Sequence, residues 1–221
     1  MTAFKDLCLD ATDPELAARF WAHALGLQVE PREGGILALV DGVAEHTVWI
    51  NPVPEPRTVK QRVHLDVHVG AVTELTDRGA TVLDDSLPWT LLADPEGGEL
   101  CAFVRPAGEL TTYRCYELVV DAVDPKAIAR WWAAQLEVEV GDDDEQGFSW
   151  LEPGPRLPWE IVFQRVPEPK TVKNRIHIDV WGDREALVAA GARVLHAGEP
   201  GQGWDVLADP EGNEFCVFAR S

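Results

Sequence analysis

His64 and Asp66 stand two residues apart in the run Val63-His64-Leu65-Asp66-Val67-His68-Val69, and the spacing returns as His177 and Asp179 in Ile176-His177-Ile178-Asp179-Val180-Trp181. Such alternation reads as a strand, so His64, Asp66 and His68 share one face while Leu65, Val67 and Val69 pack beneath it. An imidazole beside a carboxyl on apolar ground can exchange a proton with a bound molecule, which makes His64, Asp66, His177 and Asp179 candidate acid–base groups. The run 99–104 alternates too, placing Glu99, Cys101 and Phe103 on one face, and Cys216 occupies the place of Cys101 in the later run. The same residues also suit a purely structural arrangement, with each histidine hydrogen-bonded to its aspartate and each cysteine packed as a small apolar side chain.

The recurrence runs through the whole chain. Val53-Pro54-Glu55-Pro56-Arg57-Thr58-Val59-Lys60 returns as Val166-Pro167-Glu168-Pro169-Lys170-Thr171-Val172-Lys173, and Leu92-Ala93-Asp94-Pro95-Glu96-Gly97 returns as Leu207-Ala208-Asp209-Pro210-Glu211-Gly212. A duplication of this extent predicts two similar domains in tandem, 1–107 and 112–221, joined near Pro106 to Glu109. Within each, Asp13-Pro14 or Asp124-Pro125 supplies an N-cap and an N1 proline for a helix that follows a strand. A second, fainter strand–helix–strands pattern completes each copy, so the order is βαβββ twice per domain. Asp94 to Gly97 and Asp209 to Gly212 read as hairpin turns, with Glu96 and Glu211 expected to face solvent.

With 221 residues, 46% hydrophobic and 26% charged, the chain is globular, and no apolar run reaches the roughly 20 residues of a membrane helix. The formal charge of −19 argues against a nucleic-acid partner and suits a solvated surface or a cationic ligand. The first residues show no basic, then apolar, leader, and of the four cysteines Cys101 and Cys216 hold matching places while Cys8 and Cys115 have no counterpart, so reduced thiols and a cytoplasmic location are expected. Nucleophile-elbow, phosphate-loop and dinucleotide fingerprints are missing from the sequence.

Paired βαβββ modules, the Asp-Pro helix start, His-Leu-Asp or His-Ile-Asp on the second module's first strand and Asp-Pro-Glu-Gly before the closing strand together resemble the glyoxalase/bleomycin resistance/extradiol dioxygenase superfamily, the vicinal oxygen chelate fold. The resemblance spans essentially the whole chain and is nearest to the glyoxalase-like branch. It implies an α+β fold in which two modules curl their sheets into a cup that holds a metal ion or an organic ligand. Carried over by position, the family's metal ligands fall on Asp6, His64 and Cys101 in the first domain and on Glu117, His177 and Cys216 in the second. Only the histidines match the family's usual ligand types. Acid, imidazole and thiol are most compatible with zinc among divalent metals, yet the expectation is a cup that works without one.

Nine tryptophans are many for this length, and Trp49, Trp89, Trp150, Trp159, Trp181 and Trp204 fall on or beside expected strands. Trp49, Trp159 and Trp181, with His68, Asn51 and Gln164, are the candidate ligand-binding residues, suited to a planar or cationic molecule. Three functions follow: proton-transfer chemistry of the lyase or isomerase kind on a small organic substrate, sequestration of an antibiotic or metabolite as in bleomycin resistance proteins, or a regulatory or structural module. Two domains in one chain mimic a dimer, so either a monomer or a homodimer is expected.

Overall fold

A computed structural model describes residues 1–199 and 201–220. The first half runs β1 (Ala3–Ala11), α1 (Pro14–Leu25), β2 (Gln28–Pro31), β3 (Leu37–Val40), β4 (Val48–Pro52), then β5 (Val63–Val69), α2 (Thr73–Thr76), β6 (Thr81–Asp84), β7 (Thr90–Ala93) and β8 (Glu99–Val104). The second half repeats it as β9 (Cys115–Ala122), α3 (Pro125–Leu136), β10 (Val140–Asp143), β11 (Phe148–Leu151), β12 (Glu160–Arg165), then β13 (Ile176–Trp181), α4 (Arg184–Ala189), β14 (Arg193–His196), β15 (Trp204–Ala208) and β16 (Glu214–Phe218). Four βαβββ modules in an α+β chain are the expected architecture.

The strands assemble into two eight-stranded sheets, ordered β14-β15-β16-β13-β1-β4-β3-β2 and β10-β11-β12-β9-β5-β8-β7-β6. Each sheet therefore joins one module of the first half to one of the second, through the antiparallel pairs β1/β13 and β5/β9. This corrects the per-domain grouping of the carried-over ligands. Asp6 lies on the sheet of His177 and Cys216, and Glu117 on the sheet of His64 and Cys101, because first-strand residues face the partner half's module rather than their own.

The helices start and stop where the sequence tells them to. Asp13 accepts from the Leu16 amide and Asp124 from the Ala127 amide, each followed by proline at the first helical turn. Helix α1 ends on Gly26 at φ +73°, where a Cβ would stand 1.8 Å from the Thr112 carbonyl oxygen, whereas α3 ends on Glu137, held in the same left-handed region at φ 55°. Leu7, Leu9, Phe20, Trp21 and Leu25 join Leu65, Val67, Leu92 and Leu100 in the core. Each such side chain contributes about 1.5–3 kcal/mol of hydrophobic stabilisation.

Glu96 and Glu211 do not simply face solvent. Glu96 accepts from the Asp13 amide at 2.7 Å, and Glu211 accepts from the Asp124 amide at 2.6 Å. Beneath them, Asp94 takes the Trp21 indole N–H and Asp209 that of Trp132. The Asp-Pro-Glu-Gly turn is thus the fastener of each half, tying the second module's last hairpin to the start of the first module's helix.

Candidate functional site

Period-two alternation aims the polar side chains of β5, β9 and β8 into one concave face. The register sets Asp66 opposite both Cys101 and Glu117, and His64 opposite Val119. His64 Nε2 lies 3.4 Å from Asp66 Oδ1 and 3.8 Å from Cys101 Sγ. Burial holds the His64 imidazole down at about 4, so it is neutral near pH 7. Asp66 is pushed well above the carboxylate range by burial, with the Glu117 charge adding to it. Burial likewise lifts Glu117 to about 7, reinforced by Glu160, while the hydrogen bond from Asp66 pulls the other way. Both carboxyls therefore hold their protons more tightly than free acids do, and Asp66 and Glu117 titrate as a pair.

Above this floor opens a cavity of about 470 Å³. Trp89, Phe103, Tyr116, Phe148 and Trp150 form its aromatic walls, and Glu99, Asp143, Glu160, Gln164 and Lys60 reach it as polar groups. Gln164 is held by Asp121 at 2.7 Å. His68 is not among the residues lining this cavity; it stacks on Tyr116 with ring centroids 4.5 Å apart.

The other sheet repeats the floor with different furniture. Cys216 Sγ lies 3.5 Å from His177 Nε2, Asp179 Oδ1 is 3.5 Å from the same nitrogen, and Cys8 Sγ reaches Asp179 Oδ2 at 3.6 Å. Burial lowers His177 to about 4 and, with the Asp6 charge, raises Asp179 to about 8. Trp49 donates to Asp6 at 2.9 Å, and Asn51 is within hydrogen-bonding reach of Cys8. Trp181 stands half out in solvent on the cup's edge. Lys5 reaches in, 2.5 Å from Asp6 Oδ2.

Two trios place one donor atom each within 4.8 Å of one another: His64, Asp66 and Cys101, and Cys8, His177 and Asp179. Asp66 takes the place expected for Asp6 in the first set, and Asp179 and Cys8 take the places expected for Glu117 and Cys216 in the second, since the strand neighbours differ from those assumed. The donors fit zinc on chemistry: one nitrogen, one sulfur and one oxygen, with Asp66 Oδ1 and Asp179 Oδ1 buried and unpartnered.

Trp159 requires a correction. It shares the face of Ile161 and Phe163 and is buried edge-on against Phe4, centroids 4.9 Å apart, outside both cups. Sequence reasoning also missed Lys5 and Tyr116. Each is the extra residue at a β-bulge, between Phe4 and Asp6 in β1 and between Cys115 and Glu117 in β9, and only the bulge turns it toward the cup.

Paired βαβββ modules whose sheets curl over a buried floor of acid, imidazole and thiol define the class of tandem cupped-sheet proteins. The comparisons narrow it. The chain belongs to the glyoxalase-like domain family, whose model matches it twice, over residues 6–103 and 117–218. Glyoxalase I from Zea mays superposes with a TM-score of 0.71 at 12% identity, covering 99% of this chain and 92% of that one. The cppA protein of Streptococcus pneumoniae TIGR4 superposes at 0.52 with 11% identity, over 100% of both chains. No curated protein matches the sequence. At these identities the likeness shows the fold alone.

Proposed function

We propose that the chain takes a small organic molecule into the β5/β9 cup and moves a proton on it through Glu117, with Asp66 as the hydrogen-bonding partner that tunes it. The observation that carries this reading is the coincidence of an aromatic-walled cavity of about 470 Å³ with a carboxyl pair at its floor, one member of which titrates near 7. A base poised at the working pH combines a sizeable ionised fraction with useful basicity. Tryptophan and tyrosine faces would hold the substrate and exclude water, and neutral His64 would accept or donate a hydrogen bond beside the transferred proton. The reaction class is that of a lyase or isomerase.

A zinc ion, if resident, would be held by His64, Cys101 and Asp66 and would polarise a substrate oxygen. The roles given to the aromatic walls and Glu117 stand on this chain's own residues. Since both cups are complete within one chain, the monomer is the proposed working form. Among the described residues no helix is long and apolar enough to cross a membrane. The cytoplasm is the proposed location, on the four unpaired cysteines, which suit a reducing compartment.

The test begins with binding. A panel of small carbonyl compounds and amines is screened by quenching of tryptophan fluorescence. Those that bind are incubated with the protein in D2O and followed by proton NMR. Wild type should speed C–H exchange of at least one bound compound, and Glu117→Gln should slow that exchange about 10²-fold. Tight binding without any exchange would move the chain to the sequestering class.

A further inference from the structure

The two cups share a framework, and in one of them a lysine of the chain occupies the place between an aromatic ring and a carboxylate. Trp181 pairs with Phe218 as His68 pairs with Phe103, and Asp6 faces Asp179 as Glu117 faces Asp66. Trp204 stacks on Phe218 at 5.6 Å, as Trp89 does on Phe103 at 5.5 Å. The bulge residue in the first cup is Lys5. Its ammonium stands 4.2 Å from the Phe218 ring centroid and 5.5 Å from that of Trp181, paired with Asp6, and its side chain is only 15% exposed. A cation in that position has an aromatic face on one side and a carboxylate on the other, the arrangement in which the ring quadrupole adds to ion pairing.

In the second cup the bulge residue is Tyr116, which lies against His68 and meets Phe103 edge-on at 5.2 Å. Phe103, Trp89 and Glu117 remain, and among the described residues no lysine ammonium is set between them as Lys5 is in the other cup. Five carboxyl side chains line the cavity, Asp66, Glu99, Glu117, Asp143 and Glu160, against the single cation Lys60, which is already bound to Asp121 at 3.1 Å. Arg105 approaches Phe103 at 5.8 Å but is not among the residues lining the cavity. Asp66, 3% exposed, carries an Oδ1 that makes no hydrogen bond and lies 3.4 Å from His64 Nε2 at the floor of the cluster.

We infer that the β5/β9 cup takes an organic ammonium ion with an aromatic or alkyl body, its charged nitrogen resting on Phe103 and facing Glu117 where Lys5 rests on Phe218 and faces Asp6. Lys5 is a built-in occupant that closes the other cup. The inference rests on the reading of the β5/β9 cup as the ligand site and names the chemistry of the ligand.

The probes are benzyltrimethylammonium, 2-phenylethylammonium and the uncharged 2-phenylethanol, titrated into the full chain while tryptophan fluorescence is followed. Both cations should bind at least tenfold more tightly than the alcohol. Tyr116→Lys should close the cup and weaken the cations at least tenfold, Lys5→Tyr should raise the stoichiometry from one to two, and Phe103→Leu should weaken the cations while leaving the alcohol within about threefold. Circular dichroism and the melting temperature check folding, and Phe103→Leu carries the test if Tyr116→Lys does not fold. Equal affinity for alcohol and cations, with Tyr116→Lys and Phe103→Leu without effect on either, would overturn the ammonium assignment and leave the cup reading intact. If no probe binds up to 10 millimolar, on the order of the weakest affinity expected of such a contact, the assignment is also overturned. In that case binding of any compound from the wider panel keeps the cup as the ligand site, and silence across the panel removes both.

Discussion

Buried titratable groups of opposite type oppose one another in their pH dependence. His64 and His177 are each held at about 4 by burial, below the ordinary histidine value. The unfolded chain therefore binds these protons first, and stability is lost as pH falls from about 6.5 toward 4, about 3 kcal/mol for each histidine at the end of that window. Asp179 at about 8 and Glu117 at about 7 are raised by burial, so their contribution is present at low pH and is lost as pH rises through those values. Between 4 and 6.5 the two trends offset each other. Above 6.5 the histidine contribution is complete and only the carboxyl loss continues, so the stability read from urea titration should fall between pH 6.5 and 8 by about 2 kcal/mol for Asp179 alone. Asp179→Asn should flatten that decline, and urea titrations at four pH values decide it. A stability that stays flat over this window would mean that the carboxyls are already ionised in the folded state.

The elements were far more legible than their neighbours. Asp13-Pro14 and Asp124-Pro125 marked both long helices, and alternation put His64 and Asp66 on one face and Leu65 and Val67 on the other, as found. Alternation says which face a side chain takes but not which strand lies alongside, so the crossed pairing that brings Glu117 to Asp66 was invisible. A bulge shifts the count by one, so strict alternation from cup-facing Asp6 and Glu117 gives no sign that Lys5 and Tyr116 turn toward the cups. Trp159 was misplaced by attention to residue type, although the buried odd-numbered run 159, 161, 163 gave its direction. The helix ends offer a test of how closely sequence fixes an element. Gly26→Ala meets a Cβ contact of 1.8 Å at φ +73° and should destabilise by more than about 1 kcal/mol. Glu137→Gly at φ 55° relieves a left-handed strain that glycine does not feel and should be neutral or stabilise by up to about 1 kcal/mol. Melting temperatures of the two variants should move apart, and a drop of equal size in both would show that conformational strain is not what these ends have in common.

At the scale of the molecule, the halves are held together twice. The pairs β1/β13 and β5/β9 each run along the middle of an eight-stranded sheet, so parting the halves would break two backbone ladders and expose the floor of both cups. The covalent link between them is by contrast a short exposed segment around Ala107–Glu109. If the ladders and not the linker join the halves, a protease site placed at Gly108, where a Cβ would meet nothing within 4 Å, should be cut without separating the pieces. The nicked protein should elute as intact chain in size-exclusion chromatography and part only in denaturant, at a midpoint that now depends on protein concentration because unfolding has become bimolecular. Ligand quenching of Trp89 and Trp150 should survive the cut, since the cup they line is built from both pieces. Pieces that elute separately at micromolar concentration would mean that each half stands alone and that the cups depend on the tether to bring their walls together.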